Sequence, residues 1–421
     1  MNRIYNLTIA CFLISCSAEN QTEGYQGQGP TGEVSTVTLP VQKQWKGVYA
    51  LEDSTVFFSN DFEGARLNGV VADGQNHYTV LITAENAPIN PSPWYAFKVW
   101  STDSKQVTIQ LTYQDARSRY YPKVSLDGQY FVPLDTSQYQ EINQGEGQFG
   151  IRAAPESVEL TLDLSVDPTW ISAQELWTSS QVGAWIDTLD EQTYISQQTI
   201  GKSREGRDLQ MMSIGNLEAK KAIMIISRQH PPEVTGFLAM KSFIETISGK
   251  SDIASRFREE FVVFVVPLMN PDGVDNGHWR HNLGGIDLNR DWQQFNQPET
   301  GAVRDLLVSK SEAGYDFVFG ADFHSTWDDI YYPIDSSLAS GDNMIVYDWI
   351  ESISSRLPQK RTNISPSSSV QPTRVSRNYF YVNHDMPAIV FELGDNTPRD
   401  FLKEKGRVAA EELMRLLSQA D

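Results

Sequence analysis

Ala222-Ile223-Met224-Ile225-Ile226-Ser227-Arg228-Gln229-His230-Pro231-Pro232-Glu233 reads as a strand that runs directly into chemistry. Five aliphatic residues make a strand-like run. Just past its end, a histidine and a glutamate stand three positions apart, so that one turn can aim both side chains at one point. The layout recurs downstream. Phe261-Val262-Val263-Phe264-Val265-Val266 leads into Asn270-Pro271-Asp272-Gly273, then Gly277-His278-Trp279-Arg280, then Gly284-Gly285-Ile286-Asp287-Leu288-Asn289-Arg290-Asp291-Trp292. Phe317 to Phe323 feeds His324, and Ala388-Ile389-Val390-Phe391 feeds Glu392. An open α/β sheet puts its ligand contacts at strand ends and in the loops that follow them. Helical stretches from Ser180 to Asp190, Val234 to Ile247 and Asp400 to Leu417 alternate with these strands. The alternation predicts a three-layer α/β domain with a mixed sheet over residues 167–421.

His230, Glu233 and His324 are two imidazoles and a carboxylate. Zinc that performs hydrolysis takes three protein ligands of these kinds and keeps a fourth position open for water. The His-x-x-Glu pair by itself also reads as a surface loop ahead of the helix at Val234. Its company of strand ends favours the ligand reading.

Taken in order, the segments His230-Pro231-Pro232-Glu233, Asn270-Pro271-Asp272-Gly273, Trp279-Arg280, Asn289-Arg290, Phe323-His324-Ser325 and Phe391-Glu392-Leu393-Gly394-Asp395 resemble those of the zinc carboxypeptidase superfamily, which includes the pancreatic and cytosolic enzymes. The resemblance runs from about Thr169 to the end of the chain. The short interval from Arg280 to Asn289 is more similar to the cytosolic branch, known for trimming glutamates, than to the digestive branch. This resemblance implies one zinc per chain held by His230, Glu233 and His324, with Glu392 as catalytic base and acid and a peptide as substrate. It also implies that Arg280 meets the charge on the attacked carbonyl oxygen and that Asn289 and Arg290 grip the substrate's terminal carboxylate. The physics agrees with each role. A carboxylate near the activated water can shuttle its proton to the leaving amine, a fixed guanidinium stabilises a developing oxyanion, and a planar guanidinium holds a carboxylate by two parallel hydrogen bonds.

Other candidates read differently. His278 and His281 flank Arg280 in a polar loop and receive no ligand role from the resemblance; His77 and His384 have no partner pattern. Arginines in an acidic chain usually pair, and Asp275, Asp287 and Asp291 stand close by for Arg280 and Arg290. The superfamily's mobile tyrosine, about twenty residues before the catalytic glutamate, has no counterpart in Ser365 to Thr373, which leaves Tyr379 and Tyr381 as substitutes or as packing residues. Counting back from Glu392 without gaps brings Arg377 to the base of the superfamily's side-chain pocket. A charge there, with Arg374 nearby, favours a C-terminal Glu or Asp.

The N-terminal part has its own logic. Residues 1–15 carry an apolar core, Leu7 to Ile14, too short to span a bilayer. The sequence Leu13-Ile14-Ser15-Cys16 looks like a bacterial lipobox, which predicts lipidation of Cys16 and a lipid-anchored protein on the periplasmic side of the outer membrane. Loss of Cys11 with the signal would leave one cysteine and no internal disulfide. Residues 16–37 read as a flexible polar tether. Short β-branched and aromatic runs over residues 38–166, such as Tyr78 to Ile82 and Trp94 to Trp100, predict an antiparallel β-sandwich domain. The formal charge of -20 excludes a nucleic-acid partner, whose phosphates would be repelled. Nothing in the chain sets its oligomeric state. Two alternatives remain beside the main reading: a zinc carboxypeptidase that trims peptidoglycan stem peptides, and a binding module that has lost catalysis.

Overall fold

The computed structural model describes residues 25, 27, 34–51, 55–144, 154–189, 192–338 and 344–419. The lipobox, Cys11 and Cys16 lie outside them. Among the described residues no helix is long and apolar enough to cross a membrane.

Seven strands build the sheet of the C-terminal domain, in the order Ile195–Lys202, Asp208–Gly215, Phe261–Val266, Lys221–Ser227, Asp316–Thr326, Ala388–Gly394 and Ile330–Pro333. The four inner strands, from Phe261–Val266 to Ala388–Gly394, run parallel, and the outer ones pair antiparallel. Inner strands of such a sheet are apolar on both faces because helices cover both sides. Strand periodicity divides them cleanly. Ile223, Ile225, Val263 and Val265 pack with helices Val234–Ile247, Ile345–Arg356 and Arg399–Leu417. Ala222, Met224, Ile226, Val262 and Phe264 pack with helices Pro298–Glu312 and Ser376–His384. The result is the three-layer mixed-sheet architecture read from the alternation.

Two features of this sheet bring the expected site residues together. Strands Asp316–Thr326 and Ala388–Gly394 are in register with His324 opposite Glu392. Helix Val234–Ile247 lies so close behind the sheet that a Cβ on Gly236 would come within 2.3 Å of the His324 carbonyl oxygen. His324 and Glu392 fall inside their strands rather than beyond the strand ends, as the sequence pattern had suggested.

The N-terminal domain is a sandwich of two sheets. One orders Val48–Ala50, Val56–Ser59, Ala96–Ser101, Thr169–Ser172, Lys123–Ser125 and Val132–Pro133; the other orders Gly69–Gly74, His77–Ile82, Lys105–Tyr113, Pro155–Leu164 and Tyr139–Gln144. Alternating inward residues from both, among them Phe58, Val80, Phe97, Ile109 and Leu160, fill the core between them. Three details go beyond the sequence reading. The pairing is antiparallel except between His77–Ile82 and Lys105–Tyr113, which run parallel. The domain's last strand reaches Ser172, past the boundary expected at 166, because Thr169–Ser172 pairs between Ala96–Ser101 and Lys123–Ser125. The expected tether is docked where it is described: Thr36 is buried, its hydroxyl donates to Gln294 (2.8 Å), and its carbonyl accepts from Gln297 (2.8 Å).

The close packing behind the site yields a stability test. Gly236→Ala forces backbone apart beneath His324 and is expected to cost about 1–3 kcal/mol. Gly301→Ala, in helix Pro298–Glu312 with open space around it, is expected to be neutral or to stabilise by up to about 1 kcal/mol. Denaturant unfolding of the two variants checks the contrast.

Candidate metal centre and the cavity around it

The turn after strand Lys221–Ser227 delivers His230 and Glu233 together. Glu233 occupies the position before helix Val234–Ile247 yet makes no side-chain cap. Its carboxylate turns to the two imidazoles instead. Oε1 lies 2.7 Å from His230 Nδ1, and Oε2 lies 2.6 Å from His324 Nδ1. The two Nδ1 atoms are 3.2 Å apart. All three side chains are buried, and their ligand atoms lie within 4.8 Å of one another.

The outer nitrogens complete the picture. His230 Nε2 donates to Asp287 Oδ1 at 2.8 Å, and His324 Nε2 donates to Asp322 Oδ2 at 2.8 Å. Metal-binding histidines are commonly oriented this way, with the remote ring N–H given to a carboxylate, which fixes the tautomer and leaves the other nitrogen as a lone-pair donor. Two imidazole nitrogens and a carboxylate aimed at one point, with both rings supported from behind, fit a zinc ion. Burial alone would raise the Glu233 carboxyl, but electrostatic attraction and hydrogen bonding to the His230 and His324 rings hold it well below the usual carboxylate range.

Around this cluster opens a cavity of about 400 Å³. Glu392, Arg280, Asn289, Arg290, Arg374 and Arg377 all line it. Burial and the neighbouring Glu233 carboxylate push the Glu392 carboxyl up to about 7. Asp287 takes the Arg280 Nε–H at 2.7 Å while it accepts from His230, so one carboxylate aligns both groups. Arg280 is therefore both ion-paired and part of the cavity wall. Asn289 accepts the Ser376 N–H through Oδ1 (3.0 Å), and Arg290 donates to the Asn289 carbonyl (2.6 Å). Arg377 is buried and donates to the Tyr332 carbonyl at 2.8 Å; loss of hydration lowers its guanidinium to about 10.

Residues set aside in the sequence fall elsewhere. His278 bonds the His281 carbonyl, His281 faces Asn86, His77 pairs with Asp73, and His384 stands by Ser311. Tyr379 packs beneath the sheet against Trp292 and Phe295, and Tyr381 bonds the Leu338 carbonyl; neither lines the cavity. Tyr332 does line it, and the Tyr25 hydroxyl reaches the cavity-wall residue Thr326 at 2.8 Å.

Sequence reasoning missed three contributors, Asp322 behind His324 and Arg119 and Glu85 from the sandwich; Asp287 was foreseen as a partner for Arg280 but not as the support behind His230. Asp322 left a trace, since a charge inside the apolar run Phe317 to Phe323 needs a buried partner. Arg119 left none. It comes from the other domain, pairs with Asp395 (2.7 Å), bonds Ser92 (2.7 Å) and reaches the Ser325 carbonyl beside His324 (3.3 Å).

The sequence pattern of zinc carboxypeptidases matches residues 182–411, more than half of the 421. An uncharacterised protein of Zymomonas mobilis is 26% identical over 260 residues, 61% of this chain and 64% of that protein. Human cytosolic carboxypeptidase 2 is 25% identical over 267 residues, 58% of this chain and 29% of that protein. The chain thus spans less than two thirds of the curated relatives it matches. A metallo-carboxypeptidase from Burkholderia cenocepacia has the same fold, with a TM-score of 0.71 at 17% identity, over 87% of this chain and all of that one.

The support behind His324 is testable by metal affinity. Asp322→Asn is expected to weaken zinc binding about 10- to 100-fold, read by competition with a chromogenic chelator. An unchanged affinity would remove Asp322 from the site's support.

Proposed function

This chain belongs to the zinc carboxypeptidase family, and from that premise we propose that it is a metallocarboxypeptidase that removes acidic residues from the C-termini of peptides. One observation carries the hydrolytic reading: His230, Glu233 and His324 converge in the same cavity that Glu392 and Arg280 line. Bound zinc would supply a Lewis acid for the scissile carbonyl and lower the pKa of water to about 7.

The chain's own residues do the rest. Glu392, with its affinity for a proton raised to near neutrality, accepts a proton from the attacking water and returns it to the leaving amine. Arg280, fixed by Asp287, stabilises the charge that develops on the carbonyl oxygen, where a preorganised donor acts on the transition state more than on the ground state. Asn289 and Arg290 bind the terminal carboxylate, which distinguishes a chain end from a mid-chain peptide bond.

Acidic preference is supported by Arg377. Its guanidinium is buried in the cavity wall, where its hydrogen bonds go to the Tyr332 carbonyl and the Asn378 side-chain oxygen and the nearest favourable charge is the buried Asp322 carboxylate, already bonded to Gln229 and Ser376. A substrate carboxylate would pair with it directly in a largely desolvated site, where truncating one partner of such a pair costs about 2–5 kcal/mol.

Two outcomes are expected. Glu392→Gln should lower kcat by about 10²- to 10⁴-fold while retaining one zinc per chain by metal analysis. Arg377→Ala should reduce the preference for peptides ending in Glu over Leu by about 30-fold or more, measured as the ratio of kcat/KM values. An unchanged ratio would end the acidic-specificity reading without touching the hydrolytic one.

A further inference from the structure

Arg280 sits in an irregular loop, yet the proposed chemistry needs its guanidinium held still. The grip comes from the sandwich domain. Glu85, fully buried just after strand His77–Ile82, points its carboxylate at three successive backbone N–H groups: Trp279 donates to Oε2 (2.7 Å), while Arg280 (3.0 Å) and His281 (2.7 Å) donate to Oε1. Hydrogen bonds from backbone N–H to an ionised carboxylate are among the stronger kinds, and a carboxylate that accepts several of them stays ionised despite burial.

Neighbouring contacts point the same way. Trp279 inserts into the sandwich core and donates its indole N–H to the Trp94 carbonyl at 3.1 Å. Asn86 meets the His281 ring at 2.6 Å and the Gly285 carbonyl at 3.0 Å. Gly277, at φ +65°, passes so near Ala65 that a Cβ would lie 2.3 Å from its carbonyl oxygen. Consecutive residues thus split their duties, with Trp279 anchored in one domain and Arg280 presented to the cavity of the other.

We propose that Glu85 is a positioning residue for Arg280, so that the sandwich domain is a working part of the active site rather than an appendage. The inference rests on the oxyanion role given to Arg280. Glu85 touches no substrate; it sets where the Arg280 backbone lies. A misplacement on the order of 1 Å near reacting atoms can cost about 10²-fold in rate.

Two measurements on the full chain test this. In the wild-type protein, hydrogen exchange at the amides of Trp279, Arg280 and His281 is expected to be slow although the loop has no regular structure, and to quicken in Glu85→Gln and Glu85→Ala. Kinetically, Glu85→Gln is expected to lower kcat about 10- to 100-fold with KM changed less than about threefold, and to cost little more once Arg280 is Lys, because the two act as one unit. Rapid wild-type exchange at these amides would overturn the proposal even if neither Glu85 variant folds. An equal loss in the Arg280→Lys background would reduce Glu85 to a general stabiliser. Absence of hydrolysis by the zinc-loaded wild type would instead sink the carboxypeptidase reading, and the exchange result would still show whether Glu85 holds the loop.

Discussion

Two buried imidazoles share one carboxylate at the centre of this molecule, and that arrangement depends on the acids behind them. A histidine ring is symmetric enough to turn either nitrogen inward. Asp287 and Asp322 remove the choice by taking both Nε2–H groups. Each aspartate is then tied down in turn, Asp287 by Arg280 and by the Asn289 N–H, Asp322 by Gln229 and Ser376. Charges taken out of water require such partners. The network is therefore a condition for burying the centre at all.

The same requirement explains the crowd of arginines. A chain of charge -20 lines one cavity with Arg119, Arg280, Arg290, Arg374 and Arg377. Their duties differ. Arg119 and Arg280 are engaged by Asp395 and Asp287, whereas Arg377 bonds a neutral carbonyl and a neighbouring amide. Local sign, not net charge, governs what a cavity attracts.

The two domains are joined through the site. Glu85 and Asn86 hold the Trp279–Gly285 segment, and Arg119 binds the ends of the strands that carry His324 and Glu392. The segment from residue 34 adds a further tie, with the Leu39 N–H bonded to the Gly284 carbonyl (2.8 Å) and Arg204 bonded to Thr38 (2.7 Å). Motion of one domain against the other would disturb the loop that presents Arg280.

What the chain declares linearly follows from periodicity and local spacing. Apolar runs marked the four inner strands, and helix Val234–Ile247 lay where its pattern put it. His230, Glu233, His324 and Glu392 sit on or beside such runs, and the ordered likeness of their segments to zinc carboxypeptidases singled them out. What only the tertiary structure decided is which distant side chains stand behind them. Glu85 lies far from Arg280 in sequence, and Arg119 lies farther still from Asp395; neither has a local pattern to betray it. Strand and helix signals arise from neighbours along the chain, whereas the partners of buried charges are chosen by which surfaces the two folded domains press together.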